Sequence, residues 1–215
     1  MQPNLHPVRL LLLFTGLAAI ALPAVAAAPA TQPASSVTGT ITAESEVPLS
    51  EMVVYLESPD PKRPMPAPST QPVKVSQKEA QFQPKLTVVT VGQTVEFPND
   101  EEKNIEHNVF SNSSAKRFDL GLYGSGHSKS VTFDKPGPVL LYCSIHRYMD
   151  GVVFVSPTPY TSLVSKDGLY EIKNVPPGKW TLRTWQRRRR FPEKTLPIEV
   201  AAEKPTTVDM ELKRK

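Results

Sequence analysis

Cysteine is nearly absent from this chain: among 215 residues there is one, Cys143. A framework of internal disulfides is therefore excluded, and so is any zinc module built on several cysteines. Histidine is scarce too, at four residues, His6, His107, His127 and His146. Helical periodicity is almost missing, which argues against a helical bundle. No glycine-rich phosphate loop and no pair of catalytic carboxylates stands out. The "YGSGHS" segment (123–128) lacks Gly-x-Ser-x-Gly spacing, so no nucleophile elbow is indicated. Aromatic stacking motifs for nucleic acid are also absent. These gaps leave a carrier or binding protein as the expectation, not an enzyme.

The chain opens with Arg9, an apolar run from Leu10 to Leu22, and the small-x-small series Ala24-Val25-Ala26. That order is the signature of a secretory signal peptide covering residues 1–26. An uncleaved anchor is the competing reading, because apolar residues persist to Ala28. Pro23 and the small-residue end oppose it, since a spanning helix wants about 20 strongly apolar residues. No arginine pair precedes the run and no cysteine ends it, so neither a twin-arginine signal nor a lipid anchor is expected. The expectation is export to the periplasm or cell surface, with no membrane insertion after cleavage. An exported chain with one thiol invites three readings: intermolecular pairing, a reactive residue or a metal ligand. A buried cysteine serving as a small hydrophobe is the plain alternative.

What is present in quantity is short β-strand signal. After a linker at 27–36 come "VTGTIT" (37–42) and "EMVVYLES" (51–58), with Pro48 near the turn between them. Residues 59–72 then hold six prolines in fourteen positions. Proline lacks an N–H and fixes φ, so this stretch predicts an extended, exposed connection. Strand signals resume in "VKVSQ", "LTVVTVGQTVEFPND", "HNVFSNS", "KSVTF", "GPVLLYC" and "GVVFV", with a bulge or turn near Gly92. Beyond "SPTPY" (156–160) lie "GLYEI", "NVPPG", "KWTLRTW", "LPIEV" and "TTVDMEL". Such spacing predicts an all-β sandwich or barrel, in two compact units.

One stretch concentrates donor atoms. In "VLLYCSIHRYMDGVVFV" (139–155), Cys143, His146 and Met149 follow one another at three-residue steps. Thiolate and thioether are soft donors and imidazole is intermediate, a mix that suits copper cycling between Cu(I) and Cu(II). His107, in "NIEHNVFS", offers a second imidazole just ahead of a strand. A strand ending at Cys143 and another starting near Gly151 would hold the intervening loop rigid. Zinc is the rival metal, since cysteine and histidine also bind it; methionine is not among its usual ligands. Packing is the plain reading of each residue taken singly. His127 is expected as a surface turn residue.

Val73 to Ser156 resembles the cupredoxin family, the plastocyanin and amicyanin group. The likeness rests on "EFPND…EHNVF", "SKSVTFDKPGPVLLYC" and the Cys-x-x-His-x-x-Met loop, whose last step is similar to amicyanin. The resemblance implies a Greek-key β-sandwich with one type 1 (blue) copper ion. It implies His107, Cys143 and His146 as equatorial ligands and Met149 as the axial one. It also implies Asn108 as a supporting residue whose backbone N–H reaches the ligating sulfur. Arg147 departs from the pattern, because proline usually follows that second histidine; a cation here bears on the choice of partner. The implied role is one-electron transfer between a donor and an acceptor protein. Copper capture and delivery is the alternative, and an adhesive or scaffolding sandwich with a vestigial site is a third.

The segment "DGLYEIKNVPPGKWTLRTW" resembles the carboxypeptidase regulatory-like family, a transthyretin-like β-sandwich. "VTGTITAESEVPLSEMVVYLES" is similar to that family's first two strands. The expectation is therefore a cupredoxin unit (73–156) inserted into or fused with a small sandwich made from 37–58 and 157–213. From Lys166 onward there are 13 basic and 7 acidic residues. The run Arg187, Arg188, Arg189 and Arg190 heads that excess. A solvated charged tip is the plain reading; docking of an acidic partner surface is the functional one.

Overall fold

Alternation along the strands becomes layering in space. The computed structural model describes residues 34–44 and 49–214. The expected signal peptide, residues 27–33 of the expected linker, and Pro48 lie outside the described residues, and the linker's last two positions, Ser35 and Ser36, belong to the first strand. In chain order the strands are β1 (Ser35–Ala43), β2 (Met52–Glu57), β3 (Val73–Lys74), β4 (Ser76–Lys78), β5 (Gln81–Gln83), β6 (Leu86–Thr90), β7 (Thr94–Pro98), β8 (Phe110–Asn112), β9 (Arg117–Asp119), β10 (Ser128–Thr132), β11 (Gly137–Tyr142), β12 (Asp150–Ser156), β13 (Thr161–Leu163), β14 (Leu169–Val175), β15 (Gly178–Gln186), β16 (Thr195–Val200), β17 (Thr206–Thr207) and β18 (Met210–Leu212). The fold is all-β. The sole helical element among the described residues is a 3₁₀ turn at Leu49–Glu51. No helix among them is long and apolar enough to cross a membrane.

Four main sheets stack with three apolar cores between them. The first sheet has the order β14-β1-β17, with β18 also on β1; the second is β13-β2-β15-β16. Strands from before and after residues 59–156 thus pair directly: β1 with β14, and β2 with β15. Between these sheets lie Val37, Ile41, Met52, Val54, Leu56, Ile172, Trp180 and Leu182. The third sheet, β6-β12-β11-β8-β9, and the fourth, β10-β7-β3, enclose Phe97, Val131, Phe133, Val139, Leu141, Val153 and Val155.

The third core joins the two pairs of sheets. Val53 and Tyr55 of β2 and Trp185 of β15 meet Leu86 of β6 and Val152 and Phe154 of β12. This explains why "MVVYLE" and "GVVFVS" read as nearly unbroken apolar runs. Both faces of β2 and of β12 are covered, so each face needs its own apolar residues. On β12, Val153 and Val155 face one core while Val152 and Phe154 face the other.

Two turn features match the chemistry of the residues that form them. Gly92, at φ +90°, lets the chain reverse between β6 and β7. The proline-rich segment carries no strand until Val73. It does not float free, however: the Arg63 guanidinium sits 4.3 Å from the centre of the Trp180 ring, and its Nη1 donates to the carbonyl of Lys179 at 3.3 Å. Cation–π contact and the hydrogen bond strap the connection to the second sheet.

Candidate metal centre

Three of the sequence-expected donors converge. The Nδ1 atoms of His107 and His146 are 3.0 Å apart, and Cys143 Sγ lies 3.9 Å from the first and 3.8 Å from the second. His107 and Cys143 are buried, and His146 is partly exposed. A triangle of this size suits one first-row metal ion, with bonds of about 2.0 Å to imidazole and about 2.3 Å to thiolate. Donor separations of 3.0 to 3.9 Å are compatible with bonds of those lengths to one ion, so the residues present fit the group. Met149 is 1% exposed and packs in the same apolar cluster as Cys143.

The loop that carries these donors is closed by strand pairing. β11 ends at Tyr142 and β12 begins at Asp150, and these two residues face each other across the ladder. Within the loop, Met149 N–H donates to the carbonyl of His146 at 3.0 Å, a turn that presents both residues from one short segment. His107 comes from the segment leading into β8, the strand beside β11, and is fixed by a reciprocal pair of backbone bonds with Tyr123 at 3.1 and 2.9 Å.

Asn108 supports the site through its side chain. Its Oδ1 accepts from the N–H of Ser144 at 2.7 Å, and its Nδ2 donates to Asp119 at 2.9 Å. The backbone beside the sulfur is thereby pinned from the neighbouring strand, since β8 pairs with β11 in the same sheet. The resemblance implies a supporting role for Asn108 through its backbone N–H; the contacts described here are those of its amide side chain.

Glu101 was not singled out by the sequence. Its Oε1 lies 2.8 Å from Nε2 of His107, with His107 fully buried and Glu101 8% exposed. A carboxylate on the outer nitrogen selects the tautomer that leaves Nδ1 free to bind a metal. Burial pushes the Glu101 carboxyl up, but hydrogen bonds from the Ala80 N–H (2.7 Å), His107 and the Glu79 N–H outweigh it and hold it below the usual range. Glu79 and Ala80 both have positive φ, 54° and 51°, in the tight β4–β5 hairpin. Two successive left-handed residues aim their N–H groups toward one anion, as a backbone nest does. "NDEEKNIEH" holds three glutamates near the histidine, and nothing in the sequence distinguishes Glu101 from Glu102 or Glu106.

Tyr123 closes the inner wall. Its hydroxyl donates to the carbonyl of Phe97 at 2.9 Å and accepts from Gln77 Nε2 at 2.5 Å. Burial pushes its pKa up to about 12; the Gln77 hydrogen bond opposes this and the nearby Cys143 adds to it. The sign follows directly: a folded-state pKa above the unfolded value of about 10 stabilises below pH 10 and loses that contribution toward pH 12. Urea denaturation of metal-free protein across pH 9–12 should show a shallower decline for Tyr123→Phe than for the native chain. Equal slopes would show that the Tyr123 pKa is the same in the folded and the unfolded chain.

Of the remaining sequence-expected residues, Arg147 is exposed beside His146. Ile145 and Tyr148, 51% and 70% exposed, flank it. His127 is an exposed turn residue with Nδ1 3.3 Å from the Ser125 carbonyl, outside the donor cluster. The arginine run divides. Arg189 and Arg190 are exposed, and Arg188 is 59% exposed while paired to Glu51 at 3.3 Å. Arg187 does not belong to a docking surface. Its side chain is 8% exposed and paired with Glu51 and Asp150, because β15 ends at Gln186 and the turn directs the next residue inward.

Residues 70–156 match the family model described as copper binding proteins of the plastocyanin/azurin family. No curated protein matches the chain. Among solved structures, a purple cupredoxin from Nitrosopumilus maritimus is 24% identical, over 39% of this chain and 99% of its own, with a TM-score of 0.35. Amicyanin from Paracoccus versutus is 20% identical, over 41% of this chain and 84% of its own, at 0.36. A copper-containing nitrite reductase from Thermus scotoductus is 27% identical, over 54% of this chain and 28% of its own, at 0.39.

Proposed function

We propose that this chain is an exported one-electron carrier that holds a single type 1 copper ion through His107, Cys143 and His146, with Met149 as a weak axial donor. The observation that carries this reading is the donor triangle itself: two imidazole nitrogens and one cysteine sulfur, 3.0 to 3.9 Å apart, at the end of a packed β-sandwich. The family match over residues 70–156 supports copper as the metal. Copper would supply a reversible Cu(I)/Cu(II) couple. The chain's own part is to keep the donors where both oxidation states are tolerated. Glu101 fixes His107 from behind, Asn108 fixes the cysteine end of the loop, and the Tyr142–Asp150 pair closes it. A rigid donor set lowers the rearrangement that accompanies a change of charge.

His146 is the partly exposed donor, so its edge is the route for electrons. The partner proteins, a donor and an acceptor, would meet Ile145, Tyr148 and Arg147 there. Arg147, with the exposed Arg189 and Arg190, favours acidic partner surfaces, and association should weaken with salt. The two sheets built from 35–57 and 161–212 would be a carboxypeptidase regulatory-like, transthyretin-like sandwich into which the copper unit is inserted. The apolar leader would direct the chain across the inner membrane.

Protein-film voltammetry of the copper-loaded chain tests the reading. A reversible one-electron wave that persists over many cycles is the expected result. Stoichiometric loss of Cu(I) after the first reduction would instead identify a copper-delivery protein. Failure to bind copper at all would leave a scaffold with a vestigial site.

A further inference from the structure

We infer that Arg187 is a positioning residue for the metal loop, through which the flanking sandwich sets the placement of Met149. The inference rests on the copper reading above. The guanidinium forks between two carboxylates from different sheets: Nη1 donates to Glu51 Oε1 at 2.7 Å, and Nη2 donates to Asp150 Oδ2. Its backbone N–H also donates to the Glu51 carbonyl, at 3.1 Å. Glu51 ends the 3₁₀ turn that leads into β2, so one arm of the fork belongs to the second sheet. The other arm holds the first residue of β12, which directly follows Met149 in the chain.

The two ends of the donor loop are therefore tied differently. Asn108 ties the cysteine end from within the copper-binding unit, through Ser144. Arg187 ties the methionine end from outside that unit. A planar guanidinium that satisfies two carboxylates at once has little freedom to rotate, so it fixes direction as well as distance. The Arg187 side chain is 8% exposed while that of Asp150 is 48% exposed, so the fork is held firmly on the arginine side and its Asp150 arm reaches toward solvent. A shift at Asp150 moves the backbone of Met149 with it. Weak axial sulfur is the donor whose distance most readily alters the electronic character of such a site.

Three variants of the full-length, copper-loaded chain separate the possibilities: Arg187→Met, Asp150→Asn and Glu51→Gln. The readouts are the visible and electron paramagnetic resonance spectra of the Cu(II) form, the reduction potential, and copper affinity from chelator competition. Arg187→Met and Asp150→Asn should each change the ratio of the visible bands and weaken copper binding about 10-fold. The double variant should change them no further, because both act through one contact. Glu51→Gln weakens only the anchoring arm, which the Arg187 N–H bond to the Glu51 carbonyl also holds, and should shift the spectrum in the same direction but by less. A native spectrum and affinity in both Asp150→Asn and Arg187→Met would overturn the inference, whatever their thermal stability. A native chain that binds copper without an intense visible band would instead defeat the copper reading on which it rests. Should Arg187→Met fail to fold, Asp150→Asn alone decides, because it leaves Arg187 paired to Glu51.

Discussion

Replacing Cys143 by serine is expected to abolish the intense visible band of the copper-loaded protein and, with it, the reversible couple. The exchange is close to isosteric, so the fold should survive: Cys143 is 5% exposed, and a hydroxyl in its place still has the two imidazole nitrogens nearby as partners. The chemistry does not survive. A thiol ionises near pH 8.5 in water, and a metal deprotonates it outright; a serine hydroxyl stays protonated and is a hard donor. The visible band arises from charge moving out of the thiolate sulfur onto copper, and no other residue among the described donors supplies that sulfur. Absorbance between 400 and 700 nm, scaled to bound copper, is the measurement. Serine at 143 with the native colour would remove Cys143 from the site.

Cys143 also marks where the sequence was most informative. Cys143 and His146 at a three-residue step, plus a histidine before a strand, are the donors that the structure brings into one cluster. Soft and intermediate donors rarely gather without a metal, and the loop is short enough for local spacing to fix its shape. The all-β architecture was legible for a similar reason: a residue's place in an alternation is decided by which side of the pleat it sits on. Short strands were harder. Gln81–Gln83, Arg117–Asp119 and Thr161–Leu163 are polar or three residues long, and they are strands only because a neighbour pairs with them.

The supporting shell was not legible. Glu101, Asp119 and Asp150 are ordinary acids in a charged chain, and each matters here because of what the fold brings beside it. The arginine run shows the same limit. A row of four identical cations carries no sign of which one turns inward. The turn after β15 and the two carboxylates waiting there make that choice. Composition cannot report on a contact 37 or 136 residues away in sequence.

Phe154→Ala is expected to destabilise the whole chain by about 3–5 kcal/mol, the usual cost of emptying a large aromatic site in a core. Against a typical net stability of about 5–15 kcal/mol, that is about a fifth of the total at least and all of it at most. Phe154 is 3% exposed; its ring centre lies 4.9 Å from Trp185 and 5.2 Å from Tyr55. Those partners belong to β15 and β2, so the void would open in the layer that joins the two pairs of sheets. Its effect should not stay there. The neighbours of Phe154 on β12, Val153 and Val155, pack under the metal centre, while Leu182 of β15 and Val54 of β2 pack in the far core. Two probes read the two sides: of the tryptophans, both on β15, Trp180 lies in the far core and Trp185 in the shared layer, while the visible band reports the donor cluster. In urea, fluorescence and colour should be lost at one midpoint in the native chain, and both should shift down together in Phe154→Ala. A variant whose fluorescence midpoint falls while its colour persists at the native midpoint would show that the flanking sheets and the copper-binding unit unfold separately. In that case the central core would be a contact between independent bodies, not a shared layer.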